Sequence, residues 1–335
     1  MGKRMRPHTL ITPKPLIPIA GKSIVQRLCE DLMQMTTEKV EEIAFVIGDF
    51  GKQTEEDLVA IAKQLGAKGS IYYQDEPLGT GHAILCAEPV LEGNVLVAFA
   101  DTLFTSDFHF DADTDGIIWV KKVEDPTQYG VVIVNEEGFI TELAEKPDHF
   151  VSDLAIIGIY YFSDGNNLKA ELQYLIDNNI KDKGEYQLTT AMDNMREKGK
   201  GMKPGPIDEW LDCGNKDTTL YTNQRILELV KEKEELVSPQ AKVIDSNIIE
   251  PCYIGPDVEI HNSTIGPHVS IEKGTKIENA VIRNSIILSD SQVMNCVLEN
   301  SMVGNFVTYN GKITDPGNGN ERVDTVSLGD YSVNN

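Results

Sequence analysis

The sequence predicts a two-part fold: a Rossmann-like α/β sheet, mixed and mostly parallel with helices on its faces, followed by a short parallel β-helix. Two patterns predict it. Up to about residue 235, short apolar runs alternate with segments of helical periodicity, the mark of strands joined by crossover helices. After about residue 240 the helical pattern stops, and Ile or Val recurs every five or six residues among Gly, Pro and Asn. That period is too short for a helix–loop repeat and suits a solenoid whose coils each supply three short strands.

The elements follow in order. Ile24, Val25, Leu28, Leu32 and Met35 fall on one face of a helix over 22–35. Short apolar strands at 43–47 and 70–74 flank a polar helix near 53–65. The run NVLVAFAD (94–101) is apolar almost throughout, as a buried parallel strand is, and it ends on Asp101. Strands continue at 116–123, 129–134 and 154–162, with helices near 166–180, 186–198 and 216–235. Ser238-Pro239-Gln240 breaks the last helix. Ile254, Ile260, Ile265, Ile271, Ile277, Ile282, Ile287, Val293, Leu298 and Val303 then mark the inward positions of the coils, with Val243 and Ile248 upstream. The chain therefore divides into an α/β domain over 1–236, the β-helix over 237–310 and a polar tail over 311–335, read as a surface extension.

The 335 residues carry a formal net charge of -23, which argues against a nucleic-acid binder, since a phosphate backbone needs an electropositive face. No apolar run approaches the length of a membrane span, and the basic start leads into Pro-rich polar sequence rather than a signal peptide. Cys29, Cys86, Cys213, Cys252 and Cys296 are scattered and odd in number, which predicts a reducing, cytoplasmic setting with neither disulfides nor a zinc site.

Against that acidity, the chain opens MGKRMRPHTLITPKP. Glycine beside Arg4, with Lys14 soon after, can surround a polyphosphate; a solvated basic terminus is the plainer alternative. QDEPLGTGHA (74–83) follows a strand and leads into a helix. The Gln74 amide suits a base edge, and Gly79, Thr80 and Gly81 leave room for a nucleotide. Asp101 ends a buried strand, where open α/β sheets bind ligands, and a lone carboxylate there suits Mg²⁺; it could equally cap a turn. Asp212 lies in EWLDCGN (209–215), and Glu145 with Lys146 in AEKP (144–147). Separately, these carboxylates and the lysine read as loop residues or a surface pair.

Together, and in this order, the motifs resemble the sugar nucleotidyltransferases, the sugar-1-phosphate pyrophosphorylases, across nearly the whole chain. Gly2 to Pro7 followed by Pro13-Lys14-Pro15 is similar to the family's glycine-rich loop, Gln74 to Ala83 to its nucleotide motif, and Asp101 to its metal-binding aspartate. Tyr129-Gly130, Glu145-Lys146-Pro147 and Trp210 to Gly214 resemble the remaining signatures. The resemblance makes the solenoid a left-handed β-helix. It also implies that a short apolar strand and an earlier glycine, roughly ten residues, are missing before Met1, which would expose a strand edge and loosen the Arg4 loop.

The implied reaction joins a sugar 1-phosphate to an NTP, with dTTP or UTP favoured, releases pyrophosphate and uses Mg²⁺. By resemblance, Arg4, Lys14 and Lys146 are catalytic. Gly2, Gln74, Pro77, Gly79, Thr80 and Asp101 bind the nucleotide. Tyr129, Gly130, Glu145, Lys146, Gly158 and Trp210 hold the sugar phosphate, and Asp101 with Asp212 holds the metal. Other readings are a bifunctional enzyme whose solenoid histidines, His261 and His268, serve acyl transfer, or a non-catalytic regulatory subunit. His8, His82, His109 and His149 read as structural or surface groups. A homo-oligomer is expected, with no nucleic acid or membrane partner.

Overall fold

The computed structural model describes residues 3–106, 114–312 and 322–334. Gly2 and His109 lie outside them. β1 (Pro18–Ile19) and β2 (Lys22–Ser23) form a small hairpin before α1 (Ile24–Met35). β3 (Glu42–Ile47) and β4 (Lys68–Tyr73) pair in parallel across α2 (Lys52–Gln64). α3 (Thr80–Leu85), β5 (Val95–Ala98) and β6 (Thr102–Thr105) follow, then β7 (Gly116–Lys122) and β8 (Gly130–Val134). β9 (Ile140–Glu145) and β10 (Leu154–Phe162) precede α4 (Gly165–Asp177) and α5 (Leu188–Glu197). β11 (Met202–Pro206), β12 (Glu209–Asp212) and α6 (Lys216–Val230) complete this part of the chain. Asp164 caps α4 through the Asn167 amide, and Asn215 caps α6 in a reciprocal box with Thr218, each satisfying an amide that a helix start leaves without a partner.

The chain folds as two units. One takes in Leu28–Phe99 and Phe104–Trp210, the other Met1–Arg27, Ala100–Leu103 and Leu211–Asn335.

In the first unit a six-stranded sheet runs β11-β7-β10-β8-β9, with β5 also on β10. It is mixed, as the sequence predicts, but its parallel share is smaller than expected. Among the described residues β7 and β11 are the one neighbouring pair in this sheet that runs parallel; β10 is antiparallel to β5, β7 and β8, and β8 to β9. Apolar runs report that a strand is buried on both faces, not which way it points. Direction follows from the connections, and the turn at 135–139, which Asn135 closes by accepting from the Glu137 and Phe139 amides, is too short for a crossover. β10 changes partner along one edge: Ala155 faces Val131 of β8, while Ile159 faces Ala98 of β5. Gly158 sits at the change with φ +87°, a conformation that favours glycine, and the register with β7 slips there too. Ile118, Val120, Ile156, Tyr160 and Phe162 of the sheet pack on Leu168, Leu172 and Leu175 of α4 and on Met192 and Met195 of α5.

In the second unit the aliphatic columns stand where the spacing puts them. Val243, Ile260, Ile277, Val293 and Tyr309 form one stack, and Ile248, Ile265, Ile282 and Leu298 another. Ile254, Ile271, Ile287, Val303 and Leu328 form the third. All the pairings are parallel, and up to Val303 each coil takes 16 or 17 residues. Most of these side chains are sealed from solvent, and each stabilises the coil by about 1.5–3 kcal/mol. The corners use residues that tolerate a left-handed backbone. Asn262, Asn279 and Asn295 all have positive φ and hydrogen-bond up the stack at 3.2 and 2.8 Å.

The strand series does not end near 310. Ser327–Leu328 pairs with Met302–Val303, and Val333–Asn334 with Thr308 and Tyr309, so the polar tail supplies another layer. The step into it is 25 residues, as between Asn305 and Asp330, and this hides it from a search for a 16-residue period.

Candidate active site

In the unit that holds both chain termini, β12 ends on Asp212 and the segment 211–214 runs beside 100–103. The Cys213 amide donates to the Asp101 carbonyl at 3.1 Å. Lys14 Nζ lies 3.3 Å from Asp101 Oδ2, with the lysine mostly enclosed and the carboxylate half exposed. Gly214 leaves the space between Asp212 and Arg4 open: a Cβ there would stand 2.7 Å from Asp212 Oδ2 and 3.1 Å from Arg4 Nη2. The Thr222 hydroxyl of α6 holds the Asp212 carbonyl at 2.9 Å. Arg4, Lys14, Asp101 and Asp212, which the sequence spreads over more than two hundred positions, therefore meet in one place.

Cys213 lies at the centre of this group, fully buried. Burial pushes its thiol up to about 12; the Thr222 hydroxyl and Lys14 oppose this, and Asp212 and Asp101 add to it. The thiol stays protonated at neutral pH and fills space rather than attacking. All five cysteines are free.

The Arg4 loop is anchored through Met5, Pro7 and His8. Met5 is buried beneath Thr219 of α6, whose hydroxyl points at its sulfur (3.3 Å). His8 is buried as a structural group with Nε2 3.0 Å from the Ser327 hydroxyl, and burial lowers it to about 4. Pro7 lies against Gly329 in the last coil. A cavity of about 240 Å³ beside this loop, lined by Pro7, Leu10, Ile11, residues 327–330 and Ser332, contains none of the predicted site residues.

The other unit carries two groups. In the first, Gln74 follows β4 and donates to the Gly79 carbonyl (3.0 Å), with His82 Nδ1 at 3.2 Å. Pro77 is exposed in the loop between them. The open side of Gly79, at φ +121°, faces backbone and not solvent, since a Cβ there would meet the Tyr186 carbonyl at 2.5 Å. The Thr80 hydroxyl donates to Gln187 Oε1 (3.1 Å) and accepts from the Leu188 amide (3.0 Å). The room that Gly79 and Thr80 are expected to leave is thus filled by the segment before α5. The sequence shows that a close approach is needed there but not which chain makes it.

In the second group, Gly130 and Glu145 are directly paired across β8 and β9, and the Lys146 amide donates to the Tyr129 carbonyl at 3.1 Å. Tyr129 and Trp210 meet edge to face, ring centres 4.8 Å apart. Lys146 has φ +45°, and its half-exposed ammonium lies 3.4 Å from Glu145 Oε1. Burial raises the Tyr160 phenol, helped by the Glu145 charge, so it remains a neutral hydroxyl. The open side of Gly158 is taken by the Phe99 ring at 3.0 Å, so this glycine serves the change of strand partner. Lys183, which nothing in the sequence marks out, donates to the Glu145 and Lys146 carbonyls at 3.0 and 2.8 Å and fixes the turn.

Among the described residues, no three His, Cys, Asp or Glu stand together as a metal cage, and no helix is long and apolar enough to cross a membrane. Asp101 and Asp212 suit a cation that takes part of its oxygen shell from phosphates and water. His268 of the solenoid is engaged by Glu228 of α6 at 2.7 Å, and this bond, ahead of the one to Lys231, holds the Glu228 carboxyl below its usual range.

A family model described as nucleotidyl transferase matches residues 1–228. The chain is 27% identical to a glucose-1-phosphate thymidylyltransferase of Streptomyces griseus, over 99% of this chain and 96% of that protein. It is 31% identical to the mannose-1-phosphate guanylyltransferase catalytic subunit beta of Drosophila pseudoobscura pseudoobscura, over 92% of this chain and 84% of that protein. It is also 33% identical to the bifunctional protein GlmU of Methanocaldococcus jannaschii, over 68% of this chain and 53% of that protein.

Proposed function

This chain belongs to the nucleotidyl transferase family, and from that premise we propose that it converts a sugar 1-phosphate and dTTP or UTP to a nucleotide sugar and pyrophosphate. The observation that carries the proposal is the convergence of Arg4, Lys14, Asp101 and Asp212.

A phosphate oxygen of the sugar 1-phosphate attacks the α-phosphorus. A new P–O bond forms, the bond from the α-phosphorus to its bridging oxygen breaks, and pyrophosphate leaves with that oxygen. The attacking phosphate is already ionised, so no general base is needed, and rate comes from positioning and charge neutralisation. In a chain of net charge -23 the anions are drawn in by local cations alone. Arg4 and Lys14 bear on the triphosphate and the departing pyrophosphate, and Lys146 grips the sugar phosphate. Tyr129, Glu145 and Trp210 face the sugar, Gly130 and Gly158 shape the strands behind them, and Gln74, with the Pro77 to Thr80 loop, reads the base. Asp101 and Asp212 would hold Mg²⁺, which supplies Lewis-acid polarisation of the α-phosphate.

The pyrimidine preference is supported by the Gln74 amide and by the thymidylyltransferase likeness along nearly the whole chain. Gln74→Ala should reduce the preference for dTTP and UTP over purine nucleotides by about tenfold. An unchanged ranking of kcat/KM across the four NTPs would remove base reading from this residue. Lys146→Ala should raise KM for the sugar 1-phosphate by about 10- to 100-fold while moving that for NTP far less. Equal effects on both substrates would contradict its assignment. The reaction itself is tested by pyrophosphate release from the full chain across a panel of sugar 1-phosphates and NTPs. Activity confined to pairs with dTTP or UTP is expected, and activity only with ATP or GTP would overturn the nucleotide assignment.

A further inference from the structure

The hairpin of β1 and β2 follows Lys14 closely, and its two-residue turn buries Ala20 fully and Gly21 in part, an unusual place for such a turn. Both residues have positive φ (+48° and +82°), as a type I′ turn demands. A buried turn must find partners for every backbone polar group it carries. Here side chains provide them. Arg27 Nε donates to the Ile19 carbonyl and Arg27 Nη2 to the Ala20 carbonyl, each at 2.7 Å. The Ala20 amide donates to Asn223 Oδ1 of α6 at 3.0 Å, and the Gly21 amide donates to the carboxylate of Glu272 in the solenoid. Ser270, also in the solenoid, donates to the same Asn223 oxygen at 2.7 Å. Gly21 leaves no space beside the Tyr253 ring, another solenoid residue. Arg27 is further tied to Glu234 at 3.3 Å, which also takes Lys22 Nζ at 2.9 Å.

Arg27, Asn223 and Glu272 are all buried, and among the described residues neither Asn223 Nδ2 nor Glu272 Oε1 has a partner. A hydrophobic contact would stabilise the same space with less desolvation. What the polar set adds is direction: it fixes where the turn lies relative to α6 and the coils. The same α6 holds the Asp212 carbonyl through Thr222, one position before Asn223. The turn at one end of the Lys14 segment and the loop carrying Asp212 are thereby referred to a single rigid frame.

We propose that Glu272 is a positioning residue for the nucleotidyl transfer: by holding the Gly21 amide, with Ser270 holding Asn223 beneath Ala20, the solenoid sets the Lys14 segment against Asp101 and Asp212. The solenoid is then a template for the reaction and not only a scaffold. This rests on the assignment of Lys14, Asp101 and Asp212 to the phosphate chemistry. Misplacing a charged group by about 1 Å costs on the order of 100-fold in rate, so loosening the turn should be felt in kcat.

The test compares the full wild-type chain with E272A, E272Q and S270A by amide hydrogen exchange and by steady-state pyrophosphate release. E272A should exchange the Gly21 amide at least about tenfold faster, with the strands of the six-stranded sheet unchanged. Its kcat should fall about 10- to 100-fold, with KM for the sugar 1-phosphate within about twofold of wild type. E272Q keeps an acceptor oxygen for Gly21 and should restore both readouts to within about threefold. If E272A does not fold, S270A carries the same expectation in milder form at the Ala20 amide. Wild-type exchange at Gly21 in E272A overturns the clamp. Fast exchange with undiminished kcat overturns its bearing on the reaction. A wild-type chain inert with every substrate pair overturns the assigned chemistry instead, and the exchange data then judge the clamp alone.

Discussion

Asp101→Asn should lower kcat by about 100- to 1000-fold while leaving the melting temperature close to that of wild type. The reasoning begins with where the side chain sits. Its carboxylate is half exposed and is held by Lys14 at the surface of the site, so it bears little of the fold's stability. The backbone carbonyl of Asp101, which ties 100–103 to Cys213, survives the change. Asparagine keeps the shape and one acceptor oxygen but loses the charge. Lys14 is left without its counter-ion, and Asp212 alone cannot offer a divalent cation two anionic ligands. The loss should appear in the chemical step more than in binding of the sugar 1-phosphate. Turnover measured under saturating substrates, with thermal unfolding on the same samples, checks both parts. Near-normal turnover would remove Asp101 from the chemistry. A collapsed melting temperature would make its role structural.

Arg27→Met is the second large effect, this time on stability. Arg27 satisfies two buried carbonyls and stands near two carboxylates, Glu234 and Glu272. Removing the guanidinium leaves the Ile19 and Ala20 carbonyls without those donors and Glu272 without its nearest positive charge, a change of about 3–5 kcal/mol. The size should depend on pH. Burial raises the Glu272 carboxyl to about 7, against the opposing pull of Arg27, the Gly21 amide and Lys273. A carboxyl raised in this way takes up its proton more readily folded than unfolded. Its favourable contribution is complete below the ordinary carboxylate range and is lost as pH rises through about 7. Without Arg27 the folded value rises further, so the deficit of the variant should be smaller at pH 5 than at pH 8. Urea unfolding at the two pH values measures it. A deficit independent of pH would mean that Glu272 does not feel Arg27.

These residues also show what a sequence can and cannot display. The solenoid columns were legible because each coil repeats the same local instruction: an aliphatic inward, a small or amide residue at the corner. The last layer, at 327–334, was not, because a longer connection breaks the period before Leu328 resumes the stack. Helices with a strong apolar face were legible to within a few residues at their ends, whereas strand direction in the six-stranded sheet was not, being decided by connections and not by composition. Asp101 and Asp212 stand out in the sequence as carboxylates after apolar runs, whereas Arg4 and Lys14 stand out only as cations among Gly and Pro. That Arg4, Lys14, Asp101 and Asp212 meet is a product of long-range folding. The glycines misled in an informative way. Gly79 and Gly158 mark close approaches, but the groups that approach are the Tyr186 backbone and the Phe99 ring. The clamp around Ala20 and Gly21 was invisible because its members share no pattern along the chain: Arg27 follows Gln26 in α1, Asn223 lies in the polar run Thr222 to Arg225, and Glu272 precedes Lys273.

The central claim is that carboxylates at Asp101 and Asp212, beside Arg4 and Lys14, hold the divalent ion and the phosphates of the reacting nucleotide. Crystals grown with dTTP or UTP and Mn²⁺, and measured for anomalous scattering, test it most directly. The account predicts a manganese peak bonded to oxygens of Asp101 and Asp212, with the triphosphate reaching Arg4 and Lys14. A manganese peak coordinated elsewhere, with the nucleotide distant from these four side chains, would contradict it.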